Sequence, residues 1–277
     1  MTFTMGPSLL FCPADRPERY AKAAERADAV IIDLEDAVAP ADKAGARRSM
    51  VETPLDPERT VVRINPDSTD DFQLDLNALA DTAYGTIMLA KAEAPEQLRK
   101  LARFKVIALC ETAAGVVNAS AIAAEPNVVA LMWGAEDLVA SLGGTSSRND
   151  DGSYRGVAVQ ARSSVLLAAG AKGKAALDAV YINIGDLDGL AAEANDAVAS
   201  GFTATACIHP GQVAVIRDAY LPTDEQRAYA GDVLEAAKSE GGVFQFRGRM
   251  IDGPILKHAE QTLRRGRTDN RSGNSST

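Results

Sequence analysis

Short apolar runs recur along the chain, and between them Ala, Leu, Glu and Arg return at helical spacing. The runs are Ser8-Leu9-Leu10-Phe11-Cys12, Ala29-Val30-Ile31-Ile32-Asp33, Thr60-Val61-Val62-Arg63-Ile64, Thr86-Ile87-Met88-Leu89-Ala90, Val106-Ile107-Ala108-Leu109-Cys110, Val128-Val129-Ala130-Leu131-Met132-Trp133, Ala179-Val180-Tyr181-Ile182-Asn183 and Thr203-Ala204-Thr205-Ala206-Cys207-Ile208. Continuous rather than alternating apolarity is the mark of strands buried on both faces, as in a parallel sheet covered by helices. Helical patterns over 16–27, 40–51, 95–103, 113–125, 155–170, 187–200 and 210–219 supply the coverage. Eight strands so connected predict an α/β fold, a (β/α)₈ TIM barrel, since an open doubly wound sheet usually has fewer strands.

The pattern changes after the eighth unit. Residues 223–240 read as a helix opened by a capping box, Thr223 with Gln226 three residues on. Gly241–Pro254 reads as a hairpin-like or extended stretch, 255–265 as an amphipathic helix, and Gly266–Thr277 as a disordered Gly/Ser/Asn/Arg-rich tail. The expected organisation is thus a barrel domain over 1–220, a C-terminal appendage over 221–265 and a tail over 266–277. Residues 143–156, GGTSSRNDDGSYRG, are too polar and glycine-rich for a regular element and become the loop after the sixth strand.

Composition fits this picture: 277 residues, 46% hydrophobic and 24% charged, suit one large soluble domain with an addition. A net charge of −9 argues against nucleic acid, whose phosphates demand clustered cations. No uncharged stretch has the length of a membrane span and no leader pattern opens the chain, so a cytoplasmic location is expected, with no membrane partner. Cys12, Cys110 and Cys207 sit in or at the end of apolar runs, without CxxC spacing, and read as reduced buried thiols. Dinucleotide, P-loop and serine-hydrolase motifs are missing from the chain.

Barrel chemistry is carried by side chains at the C-terminal strand ends. Here those ends are strongly polar: Asp15-Arg16 after the first strand, Asp33-Leu34-Glu35-Asp36 after the second, Arg63 and Asn65 at the third and Lys91 after the fourth. Glu111 follows the fifth, Gly134-Ala135-Glu136-Asp137 the sixth, Asn183 and Asp186 the seventh, and His209 the eighth. Glu111 and Asp137 come from consecutive strands, and two hard oxygen ligands with water and substrate in the remaining positions suit Mg²⁺. The other reading makes such acids first-turn residues favoured by the helix dipole. Arg63 and Asn65, two apart on a strand, share a face; a guanidinium there needs an anion, either a substrate carboxylate or an internal acid. Lys91 reads as a structural partner of Glu35 or Asp36, or else as a Schiff-base or electrostatic residue. His209, before Pro210, reads as a loop anchor more readily than a base, and two isolated histidines disfavour zinc.

These strand ends resemble the citrate lyase β-subunit-like branch of the HpcH/HpaI aldolase family. The matching segments are Arg16-Pro17-Glu18-Arg19, Ala27–Val38 with its Asp-Leu-Glu-Asp-Ala, Val62–Asn65, Leu89–Lys91, Glu111–Val116, Trp133–Leu138 with Gly-Ala-Glu-Asp-Leu, and Cys207–Val213; they run in order to about residue 260. The resemblance implies a barrel that makes or breaks a carbon–carbon bond in acyl-CoA thioesters of hydroxy acids. It also implies Mg²⁺ on Glu111 and Asp137, Arg63 on the keto acid (oxaloacetate, pyruvate or acetoacetate-like), and a homotrimer. Arg16, Arg63, Glu111, Gly134 and Ala135 become substrate-binding candidates, and Arg63, Glu35 and Asp36 catalytic ones. In related lyases a neighbouring subunit's C-terminal aspartate completes the site, and Asp252 matches it, so the appendage is expected on a neighbouring subunit. The expected activity is lysis of (3R)-citramalyl-CoA, malyl-CoA or 3-hydroxy-3-methylglutaryl-CoA. The alternatives are a citrate lyase β subunit acting on a carrier-protein thioester and a non-catalytic Mg²⁺/keto-acid-binding regulator. The sixth loop, Ser146–Arg155, departs from the family pattern.

Overall fold

The structure, a computed structural model, describes residues 3–268. Strands and helices alternate: β1 (Ser8–Pro13), α1 (Tyr20–Arg26), β2 (Ala29–Asp33), α2 (Lys43–Glu52), β3 (Thr60–Ile64), α3 (Asp70–Leu79), β4 (Thr86–Leu89), α4 (Pro95–Arg99), β5 (Lys105–Cys110), α5 (Ala113–Ala123) and β6 (Val128–Trp133). They continue with α6 (Ala135–Ser141), α7 (Gly156–Ala171), β7 (Ala175–Asp178), α8 (Leu187–Ser200), β8 (Ala204–Cys207) and α9 (Gln212–Tyr220). All eight strands are parallel and the sheet closes on itself: Leu9 of β1 pairs with Ala29 of β2 on one side and Ala206 of β8 on the other. This is the (β/α)₈ TIM barrel expected from the apolar runs.

The barrel interior follows the two-residue period of each strand. Leu9, Ala29 and Ile31, Val61, Met88, Ile107 and Leu109, Ala130 and Met132, Leu177, and Ala204 and Ala206 form one buried cluster. At roughly 25 cal/mol per Å² of apolar surface removed from water, this cluster and the residues under the helices supply the main drive to fold. Helix ends are satisfied locally: Gly201, at φ 111°, closes α8 with its N–H on the Ala197 carbonyl, a conformation that a side chain would oppose.

One strand is displaced from its expected position. The seventh was expected over Ala179–Asn183, but β7 is Ala175–Asp178, and Tyr181 and Ile182 lie beyond its end. The β-branched and aromatic residues gave the stronger local signal, yet the segment that pairs with Ala130 and Leu131 is the small Ala175-Ala176, and Leu177 after it joins Met132 in the buried interior. Two helices also went unread, α3 because it buries only Phe72, Asp75 and Leu79, and α6 because it is short. The loop between α6 and α7 is irregular, with a single antiparallel bridge between Arg148 and Tyr154.

A second compact unit begins at residue 217. It contains α10 (Asp224–Ala236), a hairpin of β9 (Phe244–Phe246) and β10 (Arg249–Ile251), and α11 (Gly253–Thr268). Thr223 and Gln226 form the reciprocal capping box read from the sequence. Ala230 and Val233 of α10 pack with Ile251 and with Ile255, Leu256, Ala259 and Leu263 of α11. The last helix starts earlier than expected and continues to Thr268; from 269 onward the expected disordered tail lies outside the described residues.

Candidate active site

Extending the inward-facing series by one step reaches the chemistry. Ala29 and Ile31 lead to Asp33, Val61 to Arg63, Ile107 and Leu109 to Glu111, and Ala130 and Met132 to Gly134, all at the C-terminal mouth. The top interior layer is therefore polar where the layers beneath it are apolar.

Asp33 and Arg63 are bonded side-on: Nε of Arg63 donates to Oδ1 at 2.7 Å and Nη2 to Oδ2 at 2.5 Å. Asp33 also accepts the backbone N–H groups of Glu35 and Ala37, which shapes the loop that carries the next two acids. Nη1 of Arg63 lies 3.1 Å from Oε2 of Glu35, an ion contact not aligned as a hydrogen bond. The ring of Phe11 lies under the guanidinium, 4.9 Å to its centroid. The internal ion pair is thus real, and the expected substrate carboxylate has only the Nη1 edge left to it. Burial weakens the Arg63 charge, but Asp33 outweighs this and holds its pKa above the usual range.

Lys91 links this group to the fifth strand. Its ammonium bonds Oε1 of Glu35 and lies 3.2 Å from Oδ2 of Asp36, while its backbone N–H donates to Oε1 of Glu111 at 3.0 Å. The residue holds a left-handed backbone, φ 50°, which a non-glycine residue rarely adopts. Glu35 and Asp36, expected as catalytic acids, are both engaged with Lys91. Burial pushes the Glu35 carboxyl up against the pull of Arg63 and Lys91; at Asp36 burial pushes up too, but Lys91 brings the net shift below the usual range.

Glu111 is buried, and burial together with the charge of Asp137 raises its pKa to about 8. A Cβ added to Gly134 would stand 3.1 Å from Oε2 of Glu111 and 4.0 Å from Oδ2 of Asp137, so both carboxylates flank the same glycine. Asp137 has no hydrogen-bond or ion-pair partner among the described residues, and Ala135 is buried at the start of α6. Two neighbouring carboxylates, one driven towards protonation by burial and by the charge of the other, are the donor set that a hard divalent cation satisfies. Among the described residues no three His, Cys, Asp or Glu gather as a metal site, so water and substrate would have to fill the other positions of a cation held by this pair.

Asn65 departs from expectation. The strand ends at Ile64, so alternation no longer governs it, and its side chain donates to the Leu34 carbonyl and to Asp75 while accepting from Lys43. Lys43, itself buried, completes its bonds on the Leu34 and Glu35 carbonyls, which fixes the acidic loop from beneath. Arg16 is largely exposed near Asp15. His209 anchors its turn by accepting the Gly211 N–H, as read from the sequence. Asp252 belongs to the second unit, where its carbonyl and carboxylate cap α11 by accepting from Leu256 and Ile255.

Sequence reading missed a second polar cluster. Arg148 stacks on Tyr154 and Tyr181 and forks onto Glu193 at 2.9 and 3.2 Å; Tyr154 also donates to Glu193 and meets Trp133 edge-on. Trp133, fully buried at the end of β6, donates to Asp178 at 2.6 Å. Its signal in the sequence is Arg148 and Tyr154 within the polar, glycine-rich sixth loop. Ser147 bonds Glu136, the neighbour of Asp137, at 2.5 Å, so the sixth loop is tied to the acidic helix start.

Residues 7–210 match the HpcH/HpaI aldolase/citrate lyase family, which covers the barrel and every mouth residue described above. The chain belongs to this family. It is 59% identical over 260 residues to the citrate lyase subunit beta-like protein of Mycobacterium tuberculosis, covering 94% of this chain and 95% of that one. It is 33% identical over 290 residues to the mitochondrial citramalyl-CoA lyase of Mus musculus, covering 92% and 84%. The crystal structure of CitE from Mycobacterium tuberculosis in complex with magnesium, acetoacetate and coenzyme A superposes with a TM-score of 0.91 at 58% identity, over 95% of this chain and 98% of that one.

Proposed function

We propose that the chain is a Mg²⁺-dependent lyase of β-hydroxyacyl-CoA thioesters, cleaving a carbon–carbon bond reversibly to acetyl-CoA and a keto acid. A (3R)-citramalyl-CoA-type thioester is the first candidate; malyl-CoA and 3-hydroxy-3-methylglutaryl-CoA are the next. The observation that carries this reading is one mouth holding a carboxylate pair, with no cationic partner on Asp137 among the described residues, beside an arginine whose Nη1 meets Glu35 in an ion contact but donates no hydrogen bond among them. The magnesium, acetoacetate and coenzyme A bound by a 58% identical protein support it, as does the citramalyl-CoA lyase relative.

Cleavage requires the β-hydroxyl to release its proton to solvent, so that C–O becomes C=O and the carbon–carbon bonding pair passes to the thioester α-carbon as an enolate. A proton delivered there completes acetyl-CoA. Arg63, its plane fixed by Asp33, binds the carboxylate of the departing keto acid through Nη1. Glu35 and Asp36 orient Lys91, and Lys91 in turn fixes Oε1 of Glu111. Glu111 and Asp137 would hold the divalent cation, which supplies a Lewis acid that lowers the energy of developing negative charge on oxygen. Gly134 leaves room between them, and Ala135 and Arg16 border the thioester. Asp252 of a neighbouring copy in a homotrimer exchanges the proton with the α-carbon, which gives the second unit its purpose.

The test mixes the purified protein with Mg²⁺ and a panel of β-hydroxyacyl-CoA thioesters and follows acetyl-CoA and keto-acid release, with and without EDTA. Metal-dependent cleavage of one thioester supports the reading. Cleavage only of a carrier-protein thioester, or keto-acid binding without turnover, overturns it.

A further inference from the structure

We infer that Lys91 is a positioning residue for keto-acid recognition: its ammonium holds the Glu35 carboxylate away from hydrogen bonding with Arg63, and so keeps the Nη1 edge of Arg63 open for the ligand carboxylate. The inference rests on the proposed lyase reading and deepens it.

Three observations carry it. First, Arg63 spends Nε and Nη2 on Asp33, while Nη1 makes only a misaligned 3.1 Å contact with Glu35 and donates no hydrogen bond among the described residues. A buried guanidinium nitrogen left in that condition is costly unless something else fills it, and a carboxylate arriving from the mouth is the matching anion. Second, the Glu35 carboxylate is already committed elsewhere: Oε1 takes the Lys91 ammonium and Oε2 the Asp36 N–H at 2.9 Å. Only 3% of the Glu35 side chain is exposed, so water cannot replace a lost cation there. Third, Lys91 itself is fixed at both ends, by its left-handed backbone with the N–H on Glu111 and by Asp36 beside the ammonium. Among the described residues the Glu35 carboxylate pairs with two cations, Lys91 and Arg63, and Lys43 spends its donors on Leu34, Glu35 and Asn65 oxygens, so without the Lys91 ammonium Arg63 is the cation left to that carboxylate. A small turn of its carboxylate would convert the misaligned contact into a hydrogen bond and occupy the edge the keto acid needs.

The experiment measures pyruvate and acetoacetate binding, in the presence of Mg²⁺, to the wild type, Lys91→Met, Glu35→Gln and the double variant, with thermal melts to confirm folding. Lys91→Met should weaken keto-acid binding about tenfold or more, the scale of one charge-assisted hydrogen bond. In the Glu35→Gln background the same substitution should change affinity less than about twofold, because the competing charge is gone. Lys91→Arg, which keeps the cation, should stay within about threefold of wild type. An undiminished Lys91→Met penalty in the Glu35→Gln background would mean that Lys91 acts on the ligand directly or through the fold, and would overturn the inference. Wild-type-like binding by Lys91→Met overturns it as well. Absence of keto-acid binding by the wild-type chain sinks the lyase reading, and the role of Lys91 with it.

Discussion

At the scale of single residues, the site turns on how few counter-charges its acids have. The pKa of Glu111, raised to about 8 from an ordinary 4.5, means that the folded chain retains a proton which the unfolded chain releases. Its contribution to stability is therefore complete below about pH 4.5 and is lost as pH rises through about 8. In EDTA the melting temperature of wild type should fall across that window, and Glu111→Gln should flatten the fall. A cation needs the carboxylate, so each Mg²⁺ bound below that pKa displaces a proton. Affinity measured by calorimetry should rise about tenfold per pH unit up to about 8 and then level off, and Glu111→Gln should abolish both the slope and the tight binding. Asp252 calls for a different outcome: Asp252→Asn should leave keto-acid binding intact and lower kcat by about 100-fold or more, because general acid–base help is lost while the recognition groups remain.

At the scale of elements, two of the strand ends at the mouth are held by a cation on a nearby helix, Arg162 on α7 and Lys43 on α2. Arg162 on α7 forks onto Asp178 at the end of β7, with Nη2 to Oδ2 at 2.8 Å, and also reaches Asp196 of α8. Asp178 is 2% exposed and also receives the Trp133 indole. Removing the guanidinium leaves a buried carboxylate without its cation, which costs about 3–5 kcal/mol. Arg162→Ala should accordingly lower the unfolding free energy by that amount, with no change in Mg²⁺ affinity. A neutral outcome in urea unfolding would show that the strand ends do not depend on this pair. The acidic loop after β2 is held likewise by Lys43, whose three donors are all spent beneath it.

At the scale of the whole molecule, the proposed trimer makes a prediction that no single chain can satisfy. If Arg63 and Asp252 act in one site but come from different copies, Arg63→Ala and Asp252→Asn are each inactive alone. Mixed and reassembled in equal amounts, they should regain about a quarter of wild-type activity, the chance that an intact barrel mouth meets an intact aspartate. Mixing without recovery, with mixed oligomers confirmed by sedimentation, would place both residues in the same copy or remove Asp252 from the reaction.

The count of strands, their parallel order and the bias of polar residues to their C-terminal ends were legible in the chain, because barrel strands announce themselves as unbroken apolar runs. The capping box at Thr223 and the turn-anchoring role of His209 were legible as well, since both are settled within a few residues. The position of β7 was not: an alanine-rich strand has weak propensity, and only its pairing with β6, which seats Leu177 beside Met132 in the interior, selects it. Nor was the division of charge at the mouth. Sequence could say that Arg63 needs an anion and that Lys91 pairs with Glu35 or Asp36, but several acids from separate strands were equal candidates. Which one each cation takes, and that Nη1 of Arg63 is left over, depends on distances of a few ångströms between strands far apart in sequence, and only closure of the barrel fixes those.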